Sequence, residues 1–212
     1  MRRSFDTIAA GVVARGEMEE RRSRFIAHIT HVEGEREARA FVDSVRSSHR
    51  DARHNVPAWA LSDGRERRSD DGEPQGTAGQ PILDVLHGAD LADVCCVVTR
   101  YFGGTLLGSG GLARAYAAAV QRALEQARTE GSIVRMALVT RVTATIPYGA
   151  YGRVERLVAT CGGRVRDIIF AEDVQMNCVF LSGTEEAFVS ALAELSAGRD
   201  LCLVGEPAFG EF

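Results

Sequence analysis

Hydrophobic positions along the chain are most regular between residues 91 and 127. Residues 91–102 form a nearly continuous apolar run, which predicts a central strand buried on both faces. Further on, apolar residues recur at alternating intervals of three and one, which predicts an amphipathic helix; they are Leu112, Ala115, Tyr116, Ala119, Val120, Ala123, Leu124 and Ala127. The alanines in this stripe predict that the helix packs very closely on a sheet.

Weaker patterns precede this strand and helix. Alternating apolar positions predict two strands joined by a polar hairpin at 16–23, and a 3.6-residue period predicts a helix before the next strand. These elements are strands 7–15 and 24–32, helix 34–48 and strand 54–62. A charged loop rich in glycine and proline, residues 63–81, then leads into a second apolar helix pattern. Long ordered loops in a folded domain are often functional.

A break at 129–132 separates this region from a second series of elements. The pattern predicts, in chain order, strand 134–146, helix 149–161, strands 164–170 and 174–181, helix 184–196 and strand 200–204. This βαββαβ order is the ferredoxin-like plan. The sequence therefore predicts two α+β domains, at 1–130 and 133–206, and no catalytic constellation is evident in the second.

Between strand 91–102 and the helix after it lies a stretch dense in glycine: Gly103, Gly104, Gly108, Gly110 and Gly111. Glycine concentrates where the backbone needs positive φ or where something approaches it closely. A helix that starts after such a loop offers free N–H groups and a partial positive charge, which predicts an anion site. Arg100 and Arg114 flank the loop and suit phosphate or carboxylate.

The loop at 63–81 gathers three carboxylates, Asp70, Asp71 and Glu73. Such a cluster fits a hard cation such as Mg²⁺, but acidic turns are common, which favours a capped helix and a solvated turn. The same carboxylates are also candidate partners for Arg100 and Arg114, which would tie the two loops together. The sequence does not separate this pairing of the two arginines from their binding of a phosphate or carboxylate.

The amino-acid composition excludes several kinds of catalytic and binding site. All 25 basic residues are arginine, so a P-loop lysine, a Schiff-base lysine and a lysine general base are excluded. The net charge of −4 argues against a protein that coats nucleic acid over its whole surface. The five cysteines form no Cys-x-x-Cys pair and are expected to be reduced core residues. No secretory signal or membrane-length apolar run is visible, so we expect a cytoplasmic protein with no membrane partner.

Two segments together resemble the YigZ/IMPACT family in its bacterial two-domain form. They are Asp70-Asp-Gly-Glu-Pro-Gln-Gly-Thr-Ala-Gly-Gln-Pro-Ile-Leu83 and Val97-Val-Thr-Arg-Tyr-Phe-Gly-Gly-Thr-Leu-Leu-Gly-Ser-Gly-Gly-Leu-Ala-Arg-Ala-Tyr116. The resemblance covers about residues 5–128. It implies an α+β first domain like the second domain of ribosomal protein S5, which is also similar to small-molecule kinases. The second domain resembles the last domain of the translocation elongation factor.

The resemblance also implies a link to translation, because eukaryotic relatives regulate its initiation by interfering with activation of an amino-acid-starvation kinase. Their extra N-terminal partner-binding domain has no counterpart in this sequence, so that partner is not carried over. We expect a non-enzymatic protein without a cofactor that binds RNA, the ribosome or a translation factor through a groove between the two loops. The expected contacts are Thr77, Arg100, Tyr101, Phe102, the five glycines and Arg114.

The alternative is an Mg²⁺-dependent enzyme that binds a nucleotide or phosphoester in the same groove. There the glycine loop would hold phosphate and Asp70, Asp71 or Glu73 would hold the metal. The glycine stretch does not match the P-loop pattern, and Ser109 is not in a G-x-S-x-G elbow. These mismatches, together with the missing lysine, favour recognition over catalysis.

Overall fold

A computed structural model describes residues 4–212, and its elements divide into two units, Ser4–Val134 and Arg135–Phe212. The first unit contains β1 (Ser4–Ile8), β2 (Val13–Glu20), β3 (Ser23–His31), α1 (Glu35–Ser48), β4 (His54–Ala60), β5 (Glu66–Arg68), α2 (Gly79–Gly88), β6 (Val94–Tyr101) and α3 (Gly108–Thr129). Residues 1–3 of the predicted first domain lie outside the described residues.

The first unit is built on a five-stranded antiparallel sheet in the order β2-β3-β6-β4-β5. Strand β6 lies at its centre and is buried from Val94 to Arg100, which confirms the predicted central strand. Helices α2 and α3 cover one face of the sheet, and α1 covers the other. Cys95 and Cys96 consequently belong to different cores on opposite faces.

Helix α3 buries all eight positions of the predicted apolar stripe. It approaches β2 so closely that a Cβ on Gly16 would collide with the backbone of Ala119 and Ala123. The small residues of the stripe allow this approach, as the alanine content predicted. Close packing of this kind holds the middle of α3 against β2.

The prediction at the amino-terminal end was wrong in detail. The predicted strand 7–15 is two strands, β1 and β2, separated by a turn at Ala10 and Gly11. Strand β2 continues to Glu20, and the hairpin closes through Arg21 and Arg22, whose φ values are 47° and 65°. Two arginines in the left-handed region give no sequence signal, because such turns usually carry glycine or asparagine.

The second unit contains β7 (Ile133–Ile146), a single 3-10 turn (Tyr148–Ala150), α4 (Tyr151–Thr160), β8 (Arg164–Phe170), β9 (Val174–Leu181), α5 (Glu185–Leu195), β10 (Cys202–Val204) and β11 (Ala208–Glu211). Strand β7 pairs with β9 on one side and with β10 and β11 on the other, and β8 pairs with β9. The antiparallel order β10-β7-β9-β8 and the βαββαβ connectivity are those of the predicted ferredoxin-like plan. Strand β11 was not predicted.

Candidate binding cleft

The two loops singled out by the sequence line one cleft in the first unit. Strands β4 and β6 are antiparallel neighbours with His54 opposite Arg100, so the start of β4 and the end of β6 lie at the same edge of the sheet. The cleft at this edge has a volume of about 390 Å³. It is lined by Arg53, His54, Gly72, Glu73, Pro74, Arg100, Phe102, Leu106, Leu107, Gly108, Ser109 and Leu112.

A buried hydrogen-bonded group joins the two loops at the cleft. The Nη1 group of Arg100 donates to Oε1 of Glu73 at 2.6 Å, and the Tyr116 hydroxyl donates to the same oxygen at 2.7 Å. The Glu73 side chain is only 3% exposed. Burial raises the pKa of Tyr116, and the neighbouring Glu73 raises it further, so this hydroxyl remains a donor. The ion pair is therefore a structural bond between the loops.

His54 borders this buried group on the side of β4. Its Nδ1 lies 2.7 Å from the backbone oxygen of Asp71, and because a carbonyl only accepts, Nδ1 carries the proton. Its Nε2 is 3.8 Å from Oε1 of Glu73. His54 therefore holds the acidic loop at one ring nitrogen and faces the buried carboxylate with the other.

Asp70 holds the acidic loop onto the start of α2. Its Oδ2 accepts a hydrogen bond from the Gly76 amide at 2.8 Å, and its Oδ1 accepts from the Gly79 and Ala78 amides at 2.9 and 3.1 Å. Burial acts to raise the pKa of Asp70, but the three amide donors outweigh it and keep the pKa below its ordinary value. Thr77 adds a bond from its hydroxyl to the Pro74 oxygen at 2.7 Å.

Asp71 joins the acidic loop to two other elements. Its Oδ1 pairs with Nη2 of Arg46 on α1 at 2.8 Å, and its Oδ2 accepts from the Asn55 amide on β4 at 2.7 Å. Within residues 4–212, no group of three or more histidine, cysteine or acidic side chains is placed to hold a metal ion. The geometry thus gives each of the three carboxylates hydrogen-bond partners within the protein.

Three of the five glycines shape the loop itself. A Cβ on Gly103 would collide with the backbone of Arg22, and the Gly103 amide donates to the Ser23 hydroxyl at 3.1 Å. Gly104 and Gly108 have φ values of 85° and 70°, which side chains other than glycine rarely adopt. These positions direct the chain from β6 to the start of α3.

The other two glycines, Gly110 and Gly111, lie in the first turn of α3. A Cβ on Gly110 would approach only the flexible end of Arg114, and one on Gly111 would meet Leu107 at 3.2 Å. The helix start has no side-chain cap and no acidic residue in its first turn. Its first backbone N–H groups therefore have neither a capping side chain nor a carboxylate from their own turn.

Phe102 provides an aromatic surface at the mouth of the cleft. Its side chain is 40% exposed, and the guanidinium carbons of Arg53 and Arg100 each lie 5.6 Å from its ring centroid. Arginine stacked on an aromatic ring is an arrangement suited to nucleobases and phosphates. Tyr101 faces elsewhere, because its hydroxyl lies 2.9 Å from Nδ1 of His49 at the end of α1.

Arg114 does not line this cleft. It lies exposed in α3, beside a separate and larger cleft between α2 and α3 of about 650 Å³. Arg100 and Arg114 therefore flank the glycine stretch in sequence but line different clefts in the structure. The sequence left open whether these two arginines bind an anion or pair with the acidic loop. Arg100 pairs with Glu73 of that loop, and Arg114 lines the other cleft.

Comparison with known proteins assigns the family. A family profile described as the Impact N-terminal domain matches residues 21–124, and one described as a domain of unknown function, DUF1949, matches residues 145–199. The chain is 38% identical over 182 residues to the IMPACT family member YigZ of Escherichia coli, covering 84% of this chain and 87% of that protein. The chain belongs to the IMPACT family.

Two further similarities agree with this assignment. The IMPACT family member YvyE of Bacillus subtilis is 34% identical over 192 residues, covering 90% of this chain and 87% of that protein. A crystal structure described as that of a hypothetical protein is 33% identical with a TM-score of 0.61 and covers 96% of this chain and 97% of its own. The S5-like topology of the first unit stays a prediction.

Two further side chains of this IMPACT-family cleft, Arg53 and His54, were not predicted from the sequence. They precede and begin β4, which comes before both loops in the chain. Only the pairing of β4 with β6 brings them opposite Arg100. The order of strands in a sheet is not readable from periodicity, so the pattern of hydrophobic residues held no signal for them.

No helix among the described residues is long and apolar enough to cross a membrane.

Proposed function

We propose that this IMPACT-family chain is a non-catalytic binding protein of the translation machinery. Its partner, RNA alone, RNA on the ribosome or a translation factor, binds at the cleft between the acidic loop and the glycine loop. The family resemblance supports the link to translation. The observation that carries the proposal is the cleft itself, which combines an exposed Phe102 flanked by two arginines with the uncapped start of α3.

The chemistry of the lining favours recognition of RNA within this set of partners. Exposed aromatic rings bind bases by stacking, and arginines and backbone amides bind phosphates. The buried carboxylate of Glu73 is already bonded to Arg100 and Tyr116, so we expect it to hold the cleft together and not to contact the RNA. The chain carries a net charge of −4, so we expect a local contact rather than a long RNA footprint.

The proposal is tested by binding of single-stranded RNA and of ribosomes at low and high salt. We expect Phe102→Ala to lower the affinity about tenfold or more, because loss of one stacked base costs about 1–3 kcal/mol. Arg53→Gln is expected to weaken binding and to reduce its salt dependence. The matched control is Arg128→Gln, which removes the same charge from an exposed arginine of the other cleft, in the last turn of α3.

Two outcomes would contradict the proposal. One is RNA and ribosome binding by Phe102→Ala and Arg53→Gln that equals that of the unsubstituted chain. The other is an equal loss of binding in Arg128→Gln, which would make the effect one of net charge. A thermal-shift screen with nucleotides and Mg²⁺ covers the enzymatic alternative, and a metal-dependent shift by a nucleotide would favour it.

A further inference from the structure

The turn of the β2–β3 hairpin carries two arginines where its backbone favours other residues. Glu20 pairs with Ser23, so Arg21 and Arg22 alone form the turn, and their φ values are 47° and 65°. A two-residue turn with positive φ at both positions favours Asn-Gly, because most other side chains are strained in this region. Backbone strain of this kind clusters at functional sites. The turn is therefore a candidate for contact with a partner.

This turn lies against the glycine loop, beside the mouth of the cleft. A Cβ on Gly103 would collide with the backbone of Arg22, and the Gly103 amide donates to the Ser23 hydroxyl at 3.1 Å. Gly103 directly follows Phe102, whose exposed ring has the guanidinium of Arg53 stacked on it. The hairpin turn and the exposed ring are consequently neighbours on the surface, although they are far apart in the chain.

The positive charge of the turn is not neutralised within the protein. Arg22 is exposed, and its guanidinium has no ion-pair partner in the part of the chain that the structure describes. Arg21 is also exposed, and its Nε is 3.9 Å from Oε1 of Glu20, a distance at which an exposed pair contributes little. Arg24 of β3, by contrast, is paired with Glu17. The free charge of the hairpin thus lies at its turn.

We propose that the β2–β3 turn is a second contact surface of the RNA, at which Arg21 and Arg22 bind backbone phosphates of a single strand whose base stacks on Phe102. This inference rests on the proposed function, because it extends the same site. A stacking ring beside a basic surface matches the alternation of bases and phosphates along a single strand. An acidic protein segment would complement the arginines alone, so the exposed ring favours RNA as the occupant.

The test replaces the turn by the residues that its backbone favours. The turn variant, Arg21→Asn with Arg22→Gly, keeps the hairpin and relieves its strain, so we expect a higher midpoint of urea denaturation. We expect its affinity for a short single-stranded oligouridine to fall about tenfold at low salt. The slope of log affinity against log salt concentration should lose about 0.7 for each phosphate contact, or about 1.4 for both arginines. A loss of binding in a more stable protein cannot come from unfolding.

Two control variants separate the charge of the turn from its backbone and from the net charge. Arg21→Lys with Arg22→Lys keeps both charges and the strained backbone, so it is expected to bind oligouridine far better than the turn variant. Arg36→Gln with Arg128→Gln removes two exposed arginines from the first turn of α1 and the last turn of α3. This second control is expected to bind oligouridine like the unsubstituted chain.

Unchanged affinity and salt dependence in the turn variant would overturn the second surface. An equal loss in Arg36→Gln with Arg128→Gln would overturn it too, because the effect would be one of net charge. Displacement of oligouridine by oligoglutamate as effective as by unlabelled oligouridine would assign the turn to an acidic protein segment instead. If Phe102→Ala loses RNA while the turn variant keeps it, the second surface fails and the proposed function stands. If the unsubstituted chain binds neither RNA nor ribosomes, both fail.

Discussion

The two walls of the cleft use their polar groups in opposite ways. On the acidic wall, residues 69–78, the carboxylates of Asp70, Asp71 and Glu73 all accept hydrogen bonds from the protein itself. On the glycine wall, residues 102–111, the amides at the start of α3 have no side-chain cap. A concentration of charge in a loop therefore does not by itself mark a binding site. Here the carboxylates of the acidic wall are bonded within the protein, and our proposal places the ligand on the glycine wall.

This comparison is tested most strongly at Glu73. We expect Glu73→Gln to lower the free energy of unfolding by about 3–5 kcal/mol, because it leaves the buried guanidinium of Arg100 without a counter-charge. Urea denaturation followed by circular dichroism measures the change. Glu33→Gln, at an exposed position, is the control. A loss below about 1 kcal/mol in Glu73→Gln would show that the acidic wall is not structural.

Asp70 provides a second test of the same wall. We expect Asp70→Asn to lower the free energy of unfolding by about 1.5–3 kcal/mol, since it weakens charge-assisted bonds from three amides. The pKa of Asp70 is lowered in the folded chain, so its contribution is present above the unfolded pKa and is lost as pH falls through the folded pKa. The difference between the two proteins should accordingly shrink in acid. An unchanged difference at all pH values would contradict this assignment.

His28, which belongs to neither wall, makes the stability of the fold depend on pH. It is 7% exposed, and burial, followed by Arg15 and His49, lowers its pKa to about 4. Between the unfolded pKa of about 6.5 and this value the unfolded chain binds more protons, so stability falls as pH falls. Between pH 6.5 and pH 4, the free energy of unfolding should therefore fall by about 2 kcal/mol less in His28→Gln than in the unsubstituted chain. Denaturation at a series of pH values measures this difference. Identical pH profiles for the two proteins would refute the role of His28.

The sequence predicted the framework of the cleft better than its interior. The strand at 91–102 and the stripe from Leu112 to Ala127 follow from periodicity alone, because their burial is local to each element. Strand order and loop conformation decide which carboxylate reaches Arg100, and they place Arg53, just before β4, beside it. The same limit explains Arg114, which lines a different cleft from Arg100.

The central claim is that the glycine wall binds while the acidic wall supports the fold. It is tested most directly by measuring both the free energy of unfolding and the affinity for single-stranded RNA in Ser109→Asp. We expect stability to rise by about 0.3–1 kcal/mol, because the new carboxylate complements the start of α3, while RNA binding is lost. Gly34→Asp, which makes the same charge change at the start of α1, should keep the RNA affinity of the unsubstituted chain. Full RNA affinity in Ser109→Asp, with the fold intact, would contradict the claim.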